Sequence, residues 1–114
     1  MHRACGFDLQ CREAIALRVS EQVRDLAREI RSRRRTSTII LFGSFARGDF
    51  HEGSDVDLIV VGDFRERHHK RAAAILDLTD LPVEPLCYTD EEFAELVRSG
   101  STFILQALAE GIRV

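Results

Sequence analysis

Two short apolar runs, each closed by a glycine, dominate the middle of this chain. Thr38-Ile39-Ile40-Leu41-Phe42 stops at Gly43, and the run from Val56 to Val61 stops at Gly62. Side chains alternate between the two faces of a strand, so runs apolar at odd and even positions alike predict strands buried on both faces. A strand buried in this way needs neighbouring strands and covering helices. The rest of the chain supplies both.

Residues 8–34 read as one amphipathic helix, because Ile15, Val19, Val23, Leu26 and Ile30 recur at helical spacing. Arg31, Arg33, Arg34 and Arg35 close it, where positive charge suits the helix dipole. Ser44 is placed to cap a short turn through Arg47, and Gly48, Asp49, Gly53 and Ser54 mark a loop. A helix is expected from about Arg65 to Leu78, with Ala72, Ile75 and Leu76 inward. Pro82 to Cys87 reads as a third strand, its prolines suggesting an edge or strand end. Thr89 and Glu92 form a capping box ahead of Phe93, Leu96 and Val97. Gly100 ends that helix, and a last one runs through Phe103, Ile104, Ala107 and Leu108 to Gly111. The order α-β-α-β-α-β-α-α predicts an α/β fold, a small sheet in a single layer with helices against it.

At 114 residues the chain is expected to form one domain, with little room for a deep pocket and therefore an open or shared site. No apolar run is long enough to span a membrane. The opening Met1-His2-Arg3-Ala4-Cys5 lacks a signal-peptide core, so a cytoplasmic location is expected. Cys5, Cys11 and Cys87 make an odd count without close pairs, which suggests three reduced thiols. Nine arginines oppose five acids in residues 1–36, whereas seven basic residues oppose fourteen acids in 37–114. An acidic body argues against broad nucleic-acid binding.

Chemistry concentrates at the strand ends. Asp55 and Asp57 stand two apart, so their carboxylates share a face while Val56 and Leu58 enter the core. Close carboxylates repel, and a divalent cation relieves that repulsion. Gly43 lets the backbone approach a phosphate, and the Ser44 hydroxyl and free turn N–H groups could bind its oxygens. Arg47, one turn on, could add charge. Taken singly, each pattern is common in proteins with no such role.

Together they are more specific. An apolar strand, Gly43-Ser44-Phe45-Ala46-Arg47-Gly48-Asp49, then Gly53-Ser54-Asp55-Val56-Asp57-Leu58-Ile59-Val60 resembles the signature of the DNA polymerase β-like nucleotidyltransferase superfamily. In particular it is similar to the minimal nucleotidyltransferases of bacteria and archaea, stand-alone domains of about this size. The resemblance extends from the leading helix to Ala107-Leu108-Ala109-Glu110-Gly111-Ile112, so residues 1–114 are expected to be one such domain. It implies a polymerase β palm-like fold with a small mixed sheet. It also implies Mg²⁺, two ions in the usual arrangement, held by Asp55 and Asp57, and ATP phosphates bound at Gly43 and Ser44. The implied reaction is attack of a hydroxyl on the α-phosphorus with pyrophosphate leaving.

The family's third carboxylate, often Asp, lies on a later strand. Glu84 is the acid inside the third strand here, one methylene longer, and completes the implied catalytic and metal-binding set of Asp55, Asp57 and Glu84. The resemblance further implies a HEPN-domain toxin partner, silenced by transfer of AMP to a tyrosine. The alternative is a nucleotide-binding antitoxin or adaptor that acts by contact, and a homo-oligomer is left open. The arginines of 31–35 read as a solvated helix end, His68, His69, Lys70 and Arg71 as an exposed helix start, and Phe103, Ile104 and Leu108 as core.

Overall fold

The computed structural model of the chain describes residues 9–51 and 53–114. The opening residues through Cys5, with its expected reduced thiol, and residue 8, where the first helix was expected to begin, lie outside them. Helix α1 spans Leu9–Arg33 and leads into strand β1, Thr36–Phe42. A one-turn helix α2, Ser44–Arg47, separates β1 from β2, Val56–Gly62. Then come α3 (His68–Leu76), β3 (Val83–Tyr88), α4 (Asp90–Arg98), α5 (Thr102–Glu110) and a two-residue strand β4, Ile112–Arg113.

The four strands form one mixed sheet in the order β3-β2-β1-β4. β1 is antiparallel to both β2 and β4, and β2 is parallel to β3. β3 is therefore an edge strand, which accommodates Pro85 without breaking an inner ladder. β4 was not expected; two residues are too few to carry a strand pattern.

Helices cover both faces of the sheet, a fuller arrangement than one layer against the strands. Ile39, Leu41, Val56, Leu58 and Val60 pack with Val19, Val23, Leu26 and Ile30 of α1 and Ile75 of α3. The intervening Ile40, Ile59 and Val61 pack with Ile104 and Ala107 of α5. This division follows from strand geometry: each apolar run feeds two cores at once. Burying such side chains contributes about 1.5–3 kcal/mol each.

Local signals are seated as their chemistry requires. Thr89 N–H donates to Glu92 at 2.9 Å and Glu92 N–H donates to the Thr89 hydroxyl at 3.1 Å, completing the capping box. Three expectations need correction. Arg71 is only 8% exposed: it donates to Glu92 Oε1 at 2.6 Å and to the Cys87 carbonyl at 3.3 Å, bolting α3 to β3 and α4. Leu76, expected inward, is exposed because α3 ends there and its inner stripe is carried by Ile75. Cys11 is disulfide-bonded, whereas Cys87 is a free, buried thiol that burial pushes up to about 12. An odd cysteine count argues against a framework of bridges and says nothing against one.

Of the arginines ending α1, Arg31, Arg33 and Arg35 are exposed, as a solvated helix end implies, yet each also has a partner. Arg33 pairs with Glu29 at 2.6 Å, Arg34 grips both carboxylate oxygens of Glu66 at 2.9 and 2.8 Å, and Arg35 reaches Asp90 at 2.6 Å. Arg31 donates to the Val114 carbonyl at 2.8 Å. These contacts tie α1 to the loop before α3, to α4 and to the chain end.

Candidate active site

Between the end of β1 and the face of α5 lies an open cleft of ≈ 340 Å³. Gly43, Ser44, Arg47 and Asp57 line it together with Phe42, Phe103, Gln106, Ala107 and Glu110. Four of the six residues singled out from the sequence thus meet in one place. Asp55 and Glu84 are not part of its wall.

Gly43 adopts φ 76°, a left-handed conformation in which side chains are strained, and serves as the N-cap of α2. A β-carbon there would collide with the Asp57 carboxylate. The glycine thus makes room for the acid as well as for the turn. Ser44, expected as the cap, is instead the first helical residue, and no side-chain capping bond is made. Ser44 is half-buried and lines the cleft.

Asp57 sits opposite Phe42 on β1 and level with Glu84 on β3. Register neighbours on adjacent strands share a face, so Asp57 and Glu84 stand on the α4/α5 side of the sheet. Glu84 is exposed at the sheet edge and Asp55, just before β2, is exposed at the strand mouth. Burial, and then the charge of Asp55, hold the Asp57 carboxyl above the ordinary carboxylate range, with Arg47 pulling it back. Repulsion between Asp55 and Asp57 is therefore present as the spacing implied. Among the described residues no three His, Cys, Asp or Glu side chains converge into a ready-made metal cage.

The donor set fits magnesium bound with a nucleotide. Such ions take one or two carboxylates, and substrate phosphates complete the shell. Hard carboxylate oxygens at Asp55 and Asp57, already in mutual repulsion, are the donors this chain offers first; Glu84 is the further candidate. Arg47 is half-occupied, with Asp49 at 3.2 Å and Glu110 at 4.0 Å, both exposed pairs that an incoming phosphate could displace.

Sequence reasoning missed the α5 wall. Phe103, read as core, is 47% exposed and meets Phe42 edge-to-face, with ring centroids 5.4 Å apart and planes at 83°. Phe103, Gln106 and Glu110 follow helical spacing on one face, which is the only signal that could have grouped them.

Comparison with known proteins bears on the same region. Residues 23–108 match the nucleotidyltransferase domain family. A stretch of 31 residues is 61% identical to a protein of Methanocaldococcus jannaschii assigned by inference as a protein adenylyltransferase; it covers 27% of this chain and 31% of that relative's length. A crystal structure from Sulfolobus solfataricus, assigned by inference as a nucleotidyltransferase, superposes with a TM-score of 0.62 at 20% identity, covering 74% of this chain and 78% of that one. At that identity the likeness speaks for the fold. No described helix is long and apolar enough to cross a membrane.

Proposed function

Because the chain belongs to the nucleotidyltransferase domain family, we propose that it transfers AMP from ATP to a hydroxyl acceptor with the help of magnesium. The observation that carries the reading is the meeting of Gly43, Ser44 and Asp57 in one cleft, with Asp55 close enough to repel Asp57. Gly43 and Ser44 hold the β- and γ-phosphates, and Arg47 exchanges its carboxylate partners for phosphate oxygens. Asp55 and Asp57 hold the metal, with Glu84 reinforcing them from the next strand. When bound, Mg²⁺ neutralises charge on the triphosphate and on the departing pyrophosphate.

The acceptor oxygen forms a bond to the α-phosphorus while the bond from that phosphorus to pyrophosphate breaks. The acceptor's proton goes to solvent. Positioning and charge neutralisation do most of this work, so a small domain suffices. Glu84, exposed on the edge strand level with Asp57, would orient an approaching hydroxyl.

The finer reading is that the acceptor is a protein tyrosine, on a HEPN-domain toxin that this chain silences as an antitoxin in the cytoplasm. It is supported by the resemblance to minimal nucleotidyltransferases and by the assignment of the M. jannaschii relative. An open cleft on a small domain suits a folded protein as acceptor better than a long polymer. Incubation with Mg²⁺ and ATP labelled on the α-phosphate, with and without the neighbouring gene product, tests it. Label on the partner, absent with Asp55→Ala or Asp57→Ala, is the expected result. Among the described residues no three acids form a preformed cage, and Glu84 stands outside the cleft wall, which supports a second reading, neutralisation by contact with little catalysis. A tight complex that carries no label and survives Asp57→Ala would select it.

A further inference from the structure

We propose that the aromatic wall of the cleft seats the nucleobase, with Phe103 as its stacking platform and the Gln106 side-chain amide reading its exocyclic edge. The inference rests on the nucleotide reading above and assigns the part of the ligand that reading leaves unplaced. Phe103 is a large ring left half-exposed on a helix whose neighbouring Ile104 and Ala107 are buried. It is steadied by the edge-to-face contact with Phe42, which leaves ring surface toward the cleft. Phe42 is in turn the cross-strand neighbour of Asp57, so the apolar wall begins beside the acid end of the cleft. A polar phosphate end and an adjoining aromatic end match the two halves of a nucleotide. Each base has a π-face, so an exposed ring is a general platform.

Gln106 supplies the discrimination. Its Nε2 donates to Glu110 Oε2 at 3.3 Å. An ionised carboxylate can only accept, so the amide must turn its NH₂ toward Glu110. That leaves Oε1 as the acceptor offered to a ligand in the cleft. A base with an exocyclic amine, such as adenine, supplies the matching donor. Guanine would present a carbonyl oxygen at the corresponding edge and set oxygen against oxygen. Glu110 therefore acts as a positioning residue that fixes the orientation of the amide.

Calorimetric binding of ATP, GTP and inorganic tripolyphosphate, each with Mg²⁺, tests the assignment. The wild-type protein should prefer ATP to GTP, and Phe103→Ala should weaken ATP about tenfold or more while leaving tripolyphosphate unchanged. Phe103→Trp should restore ATP binding. Gln106→Leu should bring ATP and GTP together, and Glu110→Gln should narrow the same ratio by freeing the amide to turn. Equal weakening of ATP and tripolyphosphate by Phe103→Ala, no weakening of either, or an ATP-to-GTP ratio indifferent to Gln106→Leu would overturn the base seat. Wild-type protein that binds neither ATP nor tripolyphosphate would instead remove the nucleotide reading on which it stands.

Discussion

The two faces of the sheet are built to different ends. On the α1/α3 face, Val23, Ile30, Leu58, Val60 and Ile75 are fully enclosed, and the arginines at the end of α1 have carboxylate or carbonyl partners. On the α4/α5 face the core is smaller, and beyond it stand an exposed phenylalanine, a carboxyl group raised by burial and repulsion, and a glycine in a left-handed conformation. The first face pairs those arginines within the fold. The other lines an open cleft with groups that the proposed phosphate, metal and base would satisfy. The lesson is that a small α/β domain can concentrate its enclosed core on one side and leave a polar cleft open on the other.

The contrast can be broken by mutation, most severely at the acids. Asp55→Ala and Asp57→Ala should each lower transfer from α-labelled ATP on the order of a hundredfold or more, with unfolding midpoints undiminished. On the opposite face Ile30→Ala should do the reverse in kind, lowering stability by about 2–5 kcal/mol in urea denaturation. By comparison, Phe103→Ala should change stability little, because half of that ring is already in water.

Gly43→Ala joins the two effects. The left-handed backbone should cost about 1–2 kcal/mol, and the displaced Asp57 carboxylate should lower transfer at least about tenfold, measured beside urea denaturation. The smallest effect concerns the Arg34–Glu66 pair. The Arg34 hydrogen bonds hold the Glu66 carboxyl down to about 2 from 4.5. Its stabilisation is therefore fully present above pH 4.5 and is lost as pH falls through about 2. Glu66→Gln should cost about 1–2 kcal/mol at neutral pH, and the difference from wild type should vanish near the acid end of a pH series of unfolding midpoints.

What was legible in the sequence was what local chemistry decides. The strands carrying Ile39–Leu41 and Leu58–Val61 announce themselves because both faces are apolar, and the Thr89/Glu92 box because its two bonds lie within one turn. Gly43, Ser44 and Asp57 were readable because strand spacing brings them near whatever the rest does. The α5 wall was not: Phe103 reads as core until the packing of α5 on β1 shows which part of its ring is left bare. Arg71 was misread for a related reason, since its partners Cys87 and Glu92 lie on elements far along the chain. Ser44 lost its capping role to Gly43 because the turn begins one residue earlier than its side chain suggested.

On the proposed function, a metal-bound nucleotide offsets the burial and the Asp55 charge that raise the Asp57 carboxyl. A carboxyl raised in the folded state favours folding below its unfolded value of 3.8 and loses that contribution as pH rises through the folded value. Asp57→Asn should therefore be more stable than wild type at neutral pH when nothing is bound. The direct measurement is thermal unfolding of both proteins with and without Mg²⁺ and a non-hydrolysable ATP analogue. Wild type should gain about 2.7 kcal/mol at a hundred times the dissociation constant, only when both are present, while Asp57→Asn starts higher and gains little. An equal gain in the two proteins, or a wild type indifferent to the nucleotide, would contradict the account.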